Sequence, residues 1–598
     1  MTSILTHGAQ LLLTFVYYGV LAISFYGWGR AVAGGLRRIH PSFESPGLPW
    51  LIWLGWAVWL GLLQTVHLFL PLTAAVVIPF LLVGLIVSAS CLAGAIRGGW
   101  RLSWPSPDRK TAYFILLLVL AGAWISSRAM LHPMNYDAGL YFLNSIRWNN
   151  SYPIVPGLGN LHARLAFNQS FFTYVAALNL HPFFGHGRSV ANSFLMLLTI
   201  GTALHQLRPI LARPARIMEL APAQWVPPLF VLPVLGFLCL FSKDLPSPSP
   251  DLAVELLLIT LFLLFSRLWA NYLKEKQMPI GEAFVLVFLT ATTMTLKLSG
   301  LFASSLIAGL TVLAVLTSGR QRWRTGLVLI LPAGLILLIW MVRGVMTSGA
   351  PLFPSTIGYI ETSWSIPREA IREEAQIITS WAREPWTDHK EVIGNWNWFG
   401  KWLDRMGHFP VQVLYPTAYF LVLLLGNRLL FRDRQTGPPG MRPGWSVLPS
   451  ILLASLVFWF FTAPDHRFAR ALFFLLPVSA IIPLAARLHE RYHGRKFLAA
   501  LGILFLTANA HFLAWTVTHP ERFFLISYEG WHPIIEVPMQ ARTTDSGLEV
   551  NLPVTGQQSY DAPLPSTPYF NRHLQLRRDG DLSSGFTVVR EPLPKNAD

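Results

Sequence analysis

The sequence predicts an all-α polytopic membrane protein of about fourteen transmembrane helices, with outer-face loops and a small loop-rich C-terminal tail holding some β-structure. Three observations lead there. The 598-residue chain is 53% hydrophobic and 13% charged, with mean hydropathy +0.45, whereas a soluble chain carries about 25% charged residues. Apolar runs of roughly 17–25 residues, the length that crosses a bilayer, recur along nearly the whole chain. Basic residues gather in short loops that are always separated by an even number of these runs.

The runs lie at 10–29, 50–70, 73–96, 111–130, 189–207, 224–242, 252–271, 281–297, 299–318, 326–346, 411–427, 446–462, 468–486 and 497–516. The first lacks a basic stretch ahead of it and a small-residue cleavage site behind it. Gln10 to Trp28 therefore reads as a retained span and not as a signal peptide. Between the runs come seven basic groups: Arg30, Arg37 and Arg38; Arg97, Arg101, Arg109 and Lys110; Arg208, Arg213 and Arg216; Lys274 and Lys276. The last three are Arg320, Arg322 and Arg324; Arg428, Arg432 and Arg434; and Arg487, Arg491, Arg495 and Lys496.

Short basic loops stay in the cytoplasm. That rule places 131–188, 243–251, 347–410, 463–467 and 517–598 on the outer side. The net charge of +16 thus reports orientation, and no coherent basic face suggests nucleic acid as a partner. Within 347–410, Pro367 to Trp381 has helical spacing. Residues 517–598 are dense in Pro, Gly and Tyr and suggest a few strands. Cys91 and Cys239 both fall in apolar runs and read as packing residues, and no Cys/His zinc spacing occurs.

Asp137 stands out, because a carboxylate just outside a span and among aromatics needs a reason. It reads as the cap of a helix over Ala138–Trp148, lying amphipathically at the interface, or as a base for surface chemistry, and the two roles are compatible. The second outer loop, Lys243-Asp244-Leu245-Pro246-Ser247-Pro248-Ser249-Pro250-Asp251, offers two more carboxylates. Asp251 reads as a helix cap, and Asp244 or Asp251 as a ligand for a sugar hydroxyl or a divalent ion, Mg or Mn. No complete metal-ligand pattern is present. Lys297 is either a snorkelling lysine or a point charge for a lipid phosphate. Arg467 and Arg470, three apart on the side where basic residues are disfavoured, offer forks for phosphate oxygens, with a salt bridge to Asp465 as the competing role.

Together these residues resemble the GT-C superfamily of membrane glycosyltransferases, which use polyprenyl-phosphate sugars. Asp137 with Pro156-Gly157-Leu158-Gly159-Asn160-Leu161-His162, and the tail string Asp561-Ala562-Pro563-Leu564-Pro565-Ser566-Thr567-Pro568-Tyr569-Phe570, look like an uncharacterised bacterial family of GT-C-like proteins. Two features depart from the superfamily pattern. About three spans precede the candidate catalytic loop, and Ala138 stands where a second acidic residue is usual. The resemblance implies a division into additional N-terminal helices (1–110), a GT-C-like core (111–516) and an extracytoplasmic tail (517–598).

It also implies an inverting glycosyltransferase in the bacterial cytoplasmic (inner) membrane, acting at its outer face. Asp137 would be the general base. Lys297, Arg467 and Arg470 would hold the donor phosphate, and Tyr136, His162, Arg164, Asn168, Asp244, Asp251 and His466 would contact substrate. Partners would be the bilayer, a polyprenyl-phosphate-linked sugar and a glycan, lipid or protein acceptor. The competing classes are a transporter or flippase and a polymerase or ligase of lipid-linked glycans. A transporter would show polar groups at the bilayer midplane and inverted repeats. Neither is evident in the sequence.

Overall fold

The structure, a computed structural model, describes residues 2–97, 109–213, 217–318, 322–430, 444–492 and 494–588. Arg101, Arg216, Arg320, Arg432 and Arg434 lie outside the described residues. The chain is mostly helical. In order, the helices are α1 (Thr2–Ile39), α2 (Leu48–Val66), α3 (Ala74–Arg97), α4 (Arg109–Ala129), α5 (Leu143–Ser151), α6 (Ser170–Leu178), α7 (Gly187–Ala212), α8 (Pro222–Phe241), α9 (Pro250–Glu275) and α10 (Ile280–Leu296). There follow α11 (Leu301–Ser318), α12 (Arg322–Ser348), α13 (Arg368–Arg383), α14 (His389–Val392), α15 (Trp398–Gly407), α16 (Tyr415–Leu430), α17 (Val447–Thr462), α18 (Arg470–Arg491) and α19 (Arg495–Thr518).

Among the described residues, twelve helices are long and apolar enough to cross a membrane: α1–α3, α7–α9, α11, α12 and α16–α19. This is a multi-pass membrane protein. Two shorter apolar stretches, Ile115–Ala129 in α4 and Ile280–Leu296 in α10, occupy the two remaining runs read from the sequence.

The helix ends sort into two levels. At one, His40 Nε2 meets Thr325 Oγ1 at 3.1 Å, Trp269 Nε1 donates to the Gly444 carbonyl, and His489 reaches the Met218 carbonyl. The described members of the basic groups belong to this end. At the other, Leu72 N donates to Asn149 O, Ile154 N to His67 O and Gly157 N to Met346 O. The long loops and the tail gather there.

Where lipid surrounds the helices, small residues let backbones touch. A Cβ at Gly55 of α2 would lie 1.7 Å from the Phe25 carbonyl oxygen of α1, so only glycine fits. Trp50, Trp53, Trp56 and Trp59 of α2 are at most 2% exposed. Helix α2 packs on α6, α7, α10 and α12 as well as on α1, so α2 is built into the core. Gly55→Ala is expected to push α1 and α2 apart. Overpacking of this kind costs about 1–3 kcal/mol, read as a lower thermal midpoint of the detergent-purified protein.

Helix α9 runs through the centre, with every residue from Pro250 to Ser266 buried. Its start carries Asp251 and Glu255. In the tail, β1 (Met539–Thr543) pairs antiparallel with β2 (Glu549–Pro553), and β3 (Leu574–Leu576) with β4 (Phe586–Val588). The tail lies across the loop 131–188: Ser559 N and Tyr560 N both donate to Gly139 O, and Phe586 N to Pro156 O. Gly157 adopts φ +64 there, and a Cβ on it would lie 2.2 Å from the Phe586 carbonyl oxygen.

One expectation is corrected by this cover. The segment after Asp137 is not an amphipathic helix at the interface. Ala138–Phe142 form a π-helical turn leading into α5, and all five residues are buried. Helix α13 does form where helical spacing was read, with Ile371, Ser380 and Ala382 buried and the rest half-buried or exposed.

Candidate functional site

Asp137 caps nothing with its side chain. Its backbone N–H donates to Asn135 Oδ1 at 2.9 Å. Oδ1 lies 3.7 Å from Arg164 Nη1 and Oδ2 lies 3.8 Å from Arg467 Nη1. The Asp137 side chain is 20% exposed, so it is open to a ligand. Tyr141 lies buried beneath it. Burial first, and Asp137 second, push that phenol well above its ordinary range, with Arg164 opposing.

The loops 131–188 and 243–251 are bolted together. Asn135 Nδ2 donates to Asp244 Oδ1 at 2.6 Å, and the N–H groups of Met134 and Asn135 both donate to Ser247 Oγ. Asn192 of α7 donates to the carbonyls of Asp244, Ser247 and Ser249. The proline-rich loop thus finds its backbone partners in one side chain.

The expected cap, Asp251, is displaced from that role, because Ser249 caps α9 by accepting from Asp251 N. Asp251 is freed to meet Lys297 Nζ at 2.5 Å. Lys297 therefore neither snorkels nor stands free, and its Nζ also sits 4.6 Å above the Phe468 ring.

Arg467 and Arg470 do not form a joint phosphate fork. Arg470 is 4% exposed and donates Nε and Nη2 to the two carboxylate oxygens of Glu255 at 2.8 and 2.9 Å, with Asp244 Oδ2 at 3.4 Å. Arg467 points the other way, to Asp465 at 3.1 Å and to Asp137. Burial opposes its charge, but Asp465, Asp251 and Asp137 together push its pKa upward. One side chain therefore feels all three carboxylates. The turn is clamped by two indoles, Trp459 Nε1 on the Asp465 carbonyl and Trp402 Nε1 on the Pro464 carbonyl.

The remaining candidates scatter. His466 stacks on Phe409 with ring centroids 3.6 Å apart. Tyr136 is exposed and bonds Gln557 of the tail at 3.4 Å. His162 is buried against Tyr569. Asn168 is taken up by Trp340: its Nδ2 donates to the Trp340 carbonyl, and Trp340 Nε1 donates back to its carbonyl. It pins the loop to α12. Sequence reasoning missed Glu255, Asn135 and Glu374. Glu255 is one of two acidic residues inside the apolar runs, and unlike Glu282 it lies well into a long one, a signal legible beforehand. Glu374, brought by α13, faces Arg164, and burial pushes its carboxyl up against that arginine's pull.

Burial lowers His162 to about 3, helped by Arg164. Burial also lowers His466 to about 4 despite Asp465, so its 3.5 Å approach to that carboxylate is not an ion pair at neutral pH. Both folded values lie below the unfolded 6.5. Stability is then complete above that pH and is lost as pH falls from 6.5 toward 4, where the unfolded chain takes up protons the fold refuses. The thermal midpoint should fall across that window, and His162→Asn should flatten the slope. For Asp244 and Asp465, burial raises the pKa, but their arginine neighbours, Arg470 and Arg467 first, bring it net below 3.8. Their contributions are lost only at still lower pH.

No group of three His, Cys, Asp or Glu side chains among the described residues can hold a metal ion. Asp251 and Asp244, the expected ligands, already face Lys297 and Arg470. Among the described residues, neither carboxylate is free to hold a divalent ion.

Residues 11–476 match the family described as a domain of unknown function (DUF8201). The chain belongs to this family. The matched stretch runs from α1 into α18 and contains Asp137, Asp244, Asp251, Lys297, Arg467 and Arg470. No curated protein and no solved structure matches the chain.

Proposed function

We propose that this protein is a GT-C-like, inverting glycosyltransferase of the bacterial cytoplasmic membrane. It would move a sugar from a polyprenyl-phosphate donor to an acceptor at the outer face. One observation carries the reading: a partly exposed aspartate, free of any capping duty, is aimed between two guanidiniums at the end of the bundle that holds the long loops. Counting α4 and α10 as spans gives about fourteen crossings, and the basic turns then all lie on the cytoplasmic side.

In this mechanism Asp137 accepts the proton of the acceptor hydroxyl as its oxygen attacks the anomeric carbon. The anomeric carbon–oxygen bond to the donor phosphate breaks, and the lipid phosphate leaves with the electron pair. Arg467 and Arg164, with side chains 34% and 28% exposed, are the cations within reach of that phosphate. Lys297 and Arg470 are committed to Asp251 and Glu255 and serve as framework. The charged groups gather at the helix ends and not along a central path, which favours surface chemistry over transport.

The test is reconstitution of the full chain in liposomes with polyprenyl-phosphate sugars and a lipid extract of its own membrane. Mass spectrometry reads free polyprenyl phosphate. Protein-dependent release supports transfer. Absence of release together with protein-dependent movement of intact lipid-linked sugar across the bilayer would give the function to transport.

A further inference from the structure

A cavity of about 40 Å³ opens beside the first outer loop, under the last turns of α12. Its wall differs from the surroundings of Asp137. It holds two guanidiniums, Arg343 and Arg164, and no carboxylate. Arg343 is 4% exposed. Its Nη1 donates to the Gln64 carbonyl at 3.2 Å and lies 2.9 Å from His67 Nδ1, and its Nη2 lies 3.4 Å from Thr173 Oγ1. Each of these partners is neutral. Burial, and then Arg343, hold His67 well below its ordinary value, so the imidazole adds no charge.

Two other buried arginines show what a purely structural one looks like. Arg128 donates to the carbonyls of Arg522, Leu525 and Leu240, and Arg188 to those of Leu131, Pro246 and His532. Arg343 has one carbonyl, and its Nε, like that of Arg128, has no partner. Three further buried polar atoms on the same wall are also unpartnered: Trp148 Nε1, Ser145 Oγ and Gln169 Oε1. A buried charge without a counter-charge is costly, and so is an orphaned donor. This wall concentrates both. The space suits about three waters, or the oxygens of a single phosphate or carboxylate.

We propose that this cavity binds a compact oxyanion, a phosphate or a carboxylate, anchored by Arg343 and by the Trp148 and Ser145 donors. Arg164 lines the cavity and also faces Asp137 at 3.7 Å, so the anion sits one guanidinium away from the candidate base. A substrate bearing both a reactive hydroxyl and an acidic group is oriented by that pair. The site goes beyond the transferase reading and is tested without turnover, so failure here leaves the role of Asp137 untouched.

The test uses the full chain in nanodiscs, in buffer free of phosphate and sulfate. Inorganic phosphate, sulfate and acetate are titrated while the thermal midpoint and phosphorus NMR line width are followed. A saturable response is expected for wild type. Gln169→Glu places a carboxylate on the same cavity wall as Arg343 with almost no change of shape. It should weaken the phosphate response at least about tenfold and be more stable than wild type without ligand. Arg343→Gln should lose the response as well, and Gln169→Glu keeps the test decisive where that variant does not fold. A response to polyprenyl phosphate but not to the inorganic ion identifies the oxyanion as a lipid headgroup. No saturable response to any of these probes, or an undiminished one in Gln169→Glu, overturns the proposal.

Discussion

Asp137→Asn is expected to lower sugar transfer by about 10²–10⁴-fold, the range for losing a general base, while the thermal midpoint hardly moves. The two effects separate because of geometry. The contacts of Asp137 to Arg164 and Arg467 are long, 3.7 and 3.8 Å, and a fifth of the side chain is exposed. Pairs of that kind contribute about 0–1 kcal/mol. The bond that shapes the turn runs from the backbone N–H to Asn135 and survives the substitution. Turnover by reconstituted protein and thermal unfolding in detergent are the paired measurements. Activity near the wild-type level in a folded Asp137→Asn protein would sink the general-base role.

Arg470→Met should do the reverse and strike the fold first. Removing Arg470 leaves Glu255, 4% exposed, and Asp244, 10% exposed, without their main cation. Taking one partner from a buried pair costs about 3–5 kcal/mol, because the remaining charge stays buried and uncompensated. Arg470→Met with Glu255→Gln is expected to recover much of that loss, since one of the two stranded charges goes too. A double-mutant cycle on thermal midpoints reads the coupling. If the single and double variants are equally unstable, Arg470 acts through packing alone, for instance on the Phe241 ring 5.8 Å from its guanidinium carbon. Arg467, three residues earlier, should be far more forgiving in stability because a third of its side chain is exposed.

The membrane class and the location of the apolar runs were legible in the sequence. Apolar content along a run is a local property, and a bilayer demands it wherever the backbone crosses. The grouping of basic residues was legible for the same reason, as each loop reports its side alone. The seven groups, with their described members at one end of the bundle, show how far local reading reaches. The acidic second loop and the Asp465 turn were also visible as unusual strings.

Pairing was not legible. Nothing in Asp251-Leu252-Ala253-Val254-Glu255 says that Asp251 would leave the cap to Ser249 and reach Lys297, or that Glu255 would take both arms of Arg470. Nor could local pattern tell that the stretch after Asp137 lies under the tail, or that Arg343 ends without a counter-charge. These outcomes join residues 46, 215 and more than 400 positions apart. A carboxylate's energy depends on which charge stands within a few ångströms of it and on how much water remains. Hydropathy adds residue by residue along the chain and so can be read from it. Electrostatic complementarity is a relation between distant residues, and it comes into being only when the helices have packed.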